Sequence, residues 1–260
     1  MKIGISIVVY STDETTFQSC LQSLTLQNLA LIVSVVDHSP NGKYKSSCSN
    51  YNFVTYYDRR KHNLGYGFGN NFGTKHFTDV DFIMIMNPDL ILEANTLNDI
   101  INCFQTKPTN VGLFTGRIFY PNGEEQKLIK NYPNVFGLMS RRFSFLDRIP
   151  MFLHARQIYE AANFDYEKEA SVEIISGCWM IFPSHVWFEI NGFDPNYFLY
   201  FEDFDICLKT LKKGYSIKYY PAGKALHHYE RGSSKSFKLF LVFIGSMIKF
   251  FNKWGWKWKG

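Results

Sequence analysis

Four groups of polar residues have the types and spacing that chemistry requires. Asp37 and Asp89 each close an apolar run, in VVDHS and MNPD. Strands of a parallel sheet end on one shared edge, so the two carboxylates are expected to face one cleft. Each aspartate alone could simply cap the next turn, but capping would not require the pair to share an edge. Glu202-Asp203-Phe204-Asp205 is the densest acidic cluster and follows the aromatic run 197–201. Carboxylates at a helix start are stabilised by the helix dipole. A carboxylate beside apolar rings is also made more basic, as a general base needs. The stretch Asn63 to Asn71 carries Gly65, Gly67 and Gly69, which would let backbone approach a ligand ahead of a helix. It is no dinucleotide fingerprint and no Walker loop, lacking the later acidic residue and the GK[ST] ending. His227-His228 follow the last apolar run: surface decoration, or one of them a metal ligand or diphosphate donor.

These groups need a scaffold. Short β-rich runs at 3–10, 31–36, 53–57, 82–86 and 111–115 alternate with helical stretches, one after a capping box at 11–14 and one at about 94–104. That alternation predicts a right-handed, mostly parallel α/β sheet with ligands at the strand C-termini. Residues 117–170 read as irregular with short helices. A strand at 172–175, helices near 184–190 and 204–213, and a last strand at 215–220 complete the expectation.

Composition excludes several classes. The chain has 260 residues, 46% hydrophobic and 18% aromatic, enough to build a core and to rule out intrinsic disorder. Five scattered cysteines without a CxxC pair read as buried thiols in a reducing compartment, which makes the expected location cytoplasmic. The opening MKIGISIVVYSTDE reads as neither signal peptide nor membrane span. Of the net +5, residues 231–260 supply Arg231 and six lysines with no acid, so the tail carries +7 and the rest −2. No basic groove for nucleic acid is expected on such a body.

The segments VVYSTDE, VVDHS, NLGYGFGNN, MNPD, SGCWMIFP, INGFDPNYFLYFEDFDICL and the closing histidines, in this order, resemble bacterial family 2 glycosyltransferases of the GT-A fold. The likeness runs over about residues 3–250 and is strongest toward O-antigen and cell-wall rhamnosyltransferases. The resemblance implies a GT-A (Rossmann-like) mixed, mostly parallel sheet flanked by helices. It also implies a dTDP- or UDP-sugar donor, in particular dTDP-L-rhamnose, and a lipid-diphosphate-linked saccharide acceptor. By it, Val9, Tyr10 and Asp37 line the base and ribose pocket, and Asn63, Gly65, Gly67 and Asn71 shape the nucleotide-sugar pocket. Asp89 meets a divalent metal (Mg²⁺ or Mn²⁺) and the donor diphosphate, with His227 near it. Asp203 is the base, with Glu202 beside it. Asn87 stands where the family's DxD motif has its first Asp, and an amide oxygen is a weaker ligand for a hard cation. One base on one face suffices for an inverting transfer. A catalytically dead sugar-binding module is the competing reading, against which the joint presence of Asp203, Asp89 and His227 argues.

The expected organisation is a catalytic domain at 1–235, with a nucleotide-binding half at 1–116 and an acceptor half at 117–235, followed by a tail at 236–260. On a helical wheel, 237–254 separates a broad apolar arc from a lysine-bearing one, and Trp254, Trp256 and Trp258 close it. Packing on the core would accommodate the arc but not the six lysines of 231–260 and three tryptophans. The tail is therefore expected to hold the protein peripherally on an anionic membrane, at the inner face of the cell membrane.

Overall fold

The computed structural model describes residues 1–106, 110–228 and 236–259. The first half alternates as its periodicity predicts: β1 (Lys2–Val9), α1 (Glu14–Leu24), β2 (Ala30–Asp37), α2 (Lys45–Ser49), β3 (Val54–Arg59) and α3 (Tyr66–Gly73). Then follow β4 (Phe82–Met86), β5 (Leu90–Leu92), α4 (Thr96–Gln105) and β6 (Val111–Phe119). Asp13 caps α1 by accepting from the Thr16 amide at 2.8 Å, which orients the turn after β1. The second half comprises α5 (Val135–Arg142), α6 (Pro150–Tyr159), β7 (Ala170–Ser171), β8 (Trp179–Pro183), α7 (Ser184–Glu189), α8 (Glu202–Lys212), β9 (Ser216–His227) and α9 (Phe237–Trp254).

All strands join one mixed sheet in the order β3-β2-β1-β4-β8-β6-β9-β5, with β7 on β9. β3, β2, β1 and β4 are parallel, so Val9, Asp37 and Arg59 fall in one row at their C-terminal edge. β8 enters antiparallel between β4 and β6, pairing Met86 with Trp179. Its leading residues, Gly177 and Cys178, therefore lie at the same edge, and Asn87 donates its amide to the Cys178 carbonyl at 2.9 Å. β9 outruns the expected strand at 215–220. It slips register around Pro221–Gly223, then continues to pair Leu226 with Phe119 and His227 with Leu90. That continuation carries His227 to the site edge.

The strand expected at 172–175 does not form. Val172 donates to Ile217 on β9 while Ile174 bridges to Lys130, so the segment crosses between partners instead of following one. Apolar clusters cover both faces of the sheet, and a third, around Tyr159, Tyr197, Phe201, Phe250 and Phe251, lies beneath α9. The tail helix thus packs on the body as well as presenting a basic arc. Lys253 pairs with Asp194 and Asp205 at 2.7 and 2.8 Å, and Lys249 donates to the Asn196 carbonyl. Among the described residues no helix is long and apolar enough to cross a membrane.

Candidate active site

An open cleft of about 670 Å³ runs along the C-terminal edge of the parallel strands. Tyr10, His38, Asn63, Gly65, Asn87 and Asp89 contribute to its lining. Gly65 has φ +99°, and a Cβ there would overlap the Phe198 carbonyl, so glycine is required for the turn that leads into α3. Asn63 Oδ1 accepts from the Gly65 amide at 2.9 Å and holds that turn.

Asp89 lines this cleft with His228, and the buried His227 meets Asp89 from behind. Gln126 Nε2 donates to the His227 carbonyl at 2.7 Å, which orients the Gln126 amide and turns its Oε1 toward His227 Nδ1 at 3.0 Å. Nδ1 therefore carries the proton in neutral His227, and Nε2 is placed to accept from Asn87 Nδ2 at 3.4 Å and lies 3.3 Å from Asp89 Oδ1. Asp89 Oδ1 is buried and makes no hydrogen bond among the described residues. A protonated ring would pair directly with Asp89, whereas in the neutral ring the Nε2 lone pair and the Asp89 carboxylate present two electron-pair donor atoms side by side. A histidine whose second nitrogen donates to an oxygen is also the usual arrangement of a metal ligand. The donor set, one carboxylate and one imidazole, thus fits a divalent ion. Among the described residues no group of three or more His, Cys, Asp or Glu gathers, so diphosphate oxygens and water would complete the coordination.

Glu202 and Asp203 open α8. Asp203 accepts from the Gly177 amide at 3.2 Å through Oδ2 and from the Phe204 amide at 3.0 Å through Oδ1. Burial outweighs these bonds and pushes its carboxyl up to about 6. Glu202 is 6% exposed and its Oε2 has no hydrogen-bond partner among the described residues. Burial, with the neighbouring Asp203 charge, holds it well above the usual carboxylate range. Asp203 does not line the donor cleft. It lies one layer back, where Tyr66 Oη donates to the Gly177 carbonyl at 2.7 Å and Gly177 in turn donates to Asp203. Arg141 is within electrostatic reach on the α5 side.

Other expected site residues do structural work. Asp37 is fully buried and its oxygens accept from the Ser39 amide at 2.7 Å and Tyr57 Oη at 2.5 Å. It fixes the turn after β2 rather than lining the cleft. Its neighbour His38 faces the cleft instead, a residue that sequence reasoning passed over because nothing in its type or spacing singles it out. His38 is 2% exposed, with no well-formed hydrogen bond at either ring nitrogen among the described residues. Burial holds its pKa below the usual histidine range, against the pull of Asn63. Val9 points away from the cleft because side chains alternate along β1, and Val8 lines it. Gly67 packs on Phe193. The Asn71 amide clamps Phe193 through Nδ2 to its carbonyl at 2.7 Å and Oδ1 to its amide at 2.8 Å. Both secure α3 from behind. Gln126 was also missed, since a glutamine in an irregular segment carries no local signal.

The chain is 26% identical to Rhamnosyltransferase WbbL of Escherichia coli (strain K12) over 243 residues, 89% of this chain and 87% of that one. It is 24% identical over 150 residues to the N-acetylglucosaminyl-diphospho-decaprenol L-rhamnosyltransferase of Mycobacterium tuberculosis (strain ATCC 25618 / H37Rv), covering 57% of this chain and 47% of that one. Among solved structures it resembles GalNAc-T7 with UDP, GalNAc and Mn²⁺ at TM-score 0.67 and 12% identity, over 89% of this chain. It spans only 44% of that protein. It also resembles the mannosyltransferase PcManGT of Pyrobaculum calidifontis with GDP-Man and Mn²⁺ at TM-score 0.60 and 14% identity, over 96% of this chain and 63% of that one. These likenesses bear out the GT-A fold. Residues 9–240 match the family described as Glycosyltransferase like family 2, and the chain belongs to that family: it is a glycosyltransferase.

Proposed function

We propose that the chain transfers L-rhamnose from dTDP-L-rhamnose, with inversion, to a lipid-diphosphate-linked saccharide in O-antigen or other cell-surface polysaccharide assembly. It would work from the cytoplasmic side, held peripherally on the membrane. The observation that carries the transfer is the placement of a basic carboxylate, Asp203, one layer behind the cleft that Asp89 lines with His227 at its back. The acceptor hydroxyl attacks the anomeric carbon and gives its proton to Asp203 as the bond to the diphosphate oxygen breaks. Negative charge then grows on the leaving nucleoside diphosphate. Asp89 and His227 would hold a divalent ion there, and such an ion when bound supplies charge stabilisation to the diphosphate. The rhamnosyl donor and lipid-diphosphate acceptor are supported by the relatives' names, a rhamnosyltransferase in one case and a diphospho-decaprenol L-rhamnosyltransferase in another. A turnover panel of dTDP- and UDP-sugars with and without Mn²⁺ tests the reading. Transfer from dTDP-L-rhamnose is expected. Robust turnover of UDP-hexoses with none from dTDP-L-rhamnose would overturn the donor.

A further inference from the structure

The α5–α6 hairpin is joined to the tail. The amides of Val135 and Phe136 donate to the carbonyls of Lys257 and Trp258 at 2.8 and 3.0 Å, and the Arg142 guanidinium lies 5.1 Å from the Phe240 ring centre. Along the hairpin, Met139, Phe143, Phe145, Ile149, Met151 and Leu153 are all exposed, Phe145 at 64%. On the tail the same is true of Phe237, Leu241, Trp256 and Trp258. Large apolar side chains rarely crowd a free surface in this way. The net charge around them is positive. Residues 135–160 hold four arginines and two acids, Asp147 and Glu160, which pair with Arg156 at 2.7 and 3.0 Å. Glu160 also lies 3.7 Å from Arg141, so Arg142 and Arg148 are left in excess. Residues 236–259 hold five lysines and no acid.

We propose that the α5–α6 hairpin and α9 together form one docking surface for an anionic lipid bilayer, with the hairpin as an insertion element in its own right. This goes beyond a tail anchor and rests on the membrane-side reading above. The charge selects the occupant. A second copy of this chain would bring arginines and lysines against arginines and lysines, whereas acidic headgroups complement both segments. The position of the hairpin gives the surface a purpose. Arg141 Nη1 donates to Tyr159 Oη at 3.3 Å, and the Tyr159 ring stacks 6.3 Å from that of Phe204, the residue after Asp203. An acceptor sugar presented at a bilayer under this hairpin would approach Asp203 from the α5 side while the donor occupies the cleft. On the other flank Ser246 of α9 donates to the carbonyl of Leu199, a residue of the cleft wall, so the same surface also abuts the donor site.

The test uses the full chain and vesicles of phosphatidylcholine with and without phosphatidylglycerol. Phe145→Asp combined with Met151→Asp changes two exposed side chains outside the catalytic groups. Co-sedimentation with phosphatidylglycerol vesicles should fall about tenfold, while the melting temperature and turnover of a water-soluble acceptor stay at the parent's level. Arg142→Glu with Arg148→Glu should lose the preference for phosphatidylglycerol. Parent-like pelleting of the Asp variant would overturn the proposal. So would a dimer of the parent, seen by sedimentation velocity, that the Asp variant abolishes while vesicle binding persists, because the occupant would then be a second copy. Failure of the donor assignment would appear separately, as absent turnover of the soluble acceptor by the parent protein.

Discussion

His227 Nε2 and Asp89 Oδ1 face each other at 3.3 Å, while Gln126 engages the far nitrogen of the same ring at 3.0 Å. The pair comes from opposite partners of one antiparallel ladder, β5 following Asp89 and β9 ending at His227. The His228 amide, donating to the Asp89 carbonyl at 3.0 Å, locks the two backbones together. The fold's own hydrogen bonding thereby fixes a carboxylate and an imidazole side by side.

Gln126→Leu should keep the protein folded but release the His227 ring. Loss of such a supporting hydrogen bond typically weakens metal affinity or activity by about 10–100-fold. Titrating Mn²⁺ against turnover should show the half-saturating concentration displaced upward by that order. Gln126→Glu, which can still accept from Nδ1, should recover most of it. An unchanged Mn²⁺ curve in Gln126→Leu would remove Gln126 from this role.

Asp203→Asn should reduce transfer by about 10²–10⁴-fold with nucleotide affinity nearly intact, the range expected for a lost general base. In the parent protein kcat/KM should rise with pH through a limb near 6, where the carboxyl gives up its proton. The stability consequence has a definite sign. The folded carboxyl titrates near 6 against an ordinary 3.8, so the native state holds the proton more tightly. Stability from this group is full below the ordinary value and is lost as pH rises through about 6. The melting temperature of Asp203→Asn relative to the parent should therefore improve between about pH 4 and pH 7. Differential scanning fluorimetry across that range reads it, and a constant offset would mean that Asp203 titrates normally.

His38→Ala should weaken dTDP or UDP binding, because a buried ring whose nitrogens make no well-formed hydrogen bond among the described residues faces the cleft, and a ligand hydrogen bond there is worth about 1 kcal/mol or more. Asp37→Ala should instead cost about 1–3 kcal/mol of stability by stripping the bonds to Ser39 and Tyr57. Calorimetry with dTDP and thermal melts separate the two. Lost affinity with unchanged stability in Asp37→Ala would restore a direct ligand role to that carboxylate.

What could be read in advance was what local pattern encodes. The β-rich runs of the first half became β1, β2, β3, β4 and β6, and MNPD put Asp89 at a strand end because apolar length alone marks where a buried strand stops. β8 was legible only as a motif. Trp179–Pro183 is a continuous apolar run whose antiparallel direction depends on β4 and β6, far away in sequence. Pro221 inside β9 disguised its extension, since proline ordinarily demotes a strand, and here a register slip absorbs it. The pairing of His227 with Gln126, and the displacement of Asp37 by His38 at the cleft, are settled by which way a side chain turns at a strand end. Composition and spacing carry no record of that.

Lys253 shows why the tail cannot simply be cut off to measure its affinity for membranes. Its ammonium pairs with Asp205, which is fully buried, and with Asp194, while Trp254 Nε1 donates to Asp205 Oδ1 at 2.8 Å. Removing α9 would leave a buried carboxylate uncompensated at the start of the helix that carries Asp203. It would also uncover the apolar seat of Phe250 and Phe251, both fully buried. Loss of vesicle binding after truncation would then report misfolding as readily as lost attachment. Lys253→Met isolates the electrostatic part. Lys253 is about a third exposed and Trp254 still serves Asp205, so the loss should be about 1–3 kcal/mol, below that of a wholly buried pair. At about 2–4 °C per kcal/mol for a domain of this size, the shift is readily measured by thermal melts. Adding Asp205→Asn should return part of it, since the neutral amide no longer needs a cation. A melting temperature unchanged by Lys253→Met would mean that the aromatic seat alone holds α9, and truncation would become a fair experiment after all.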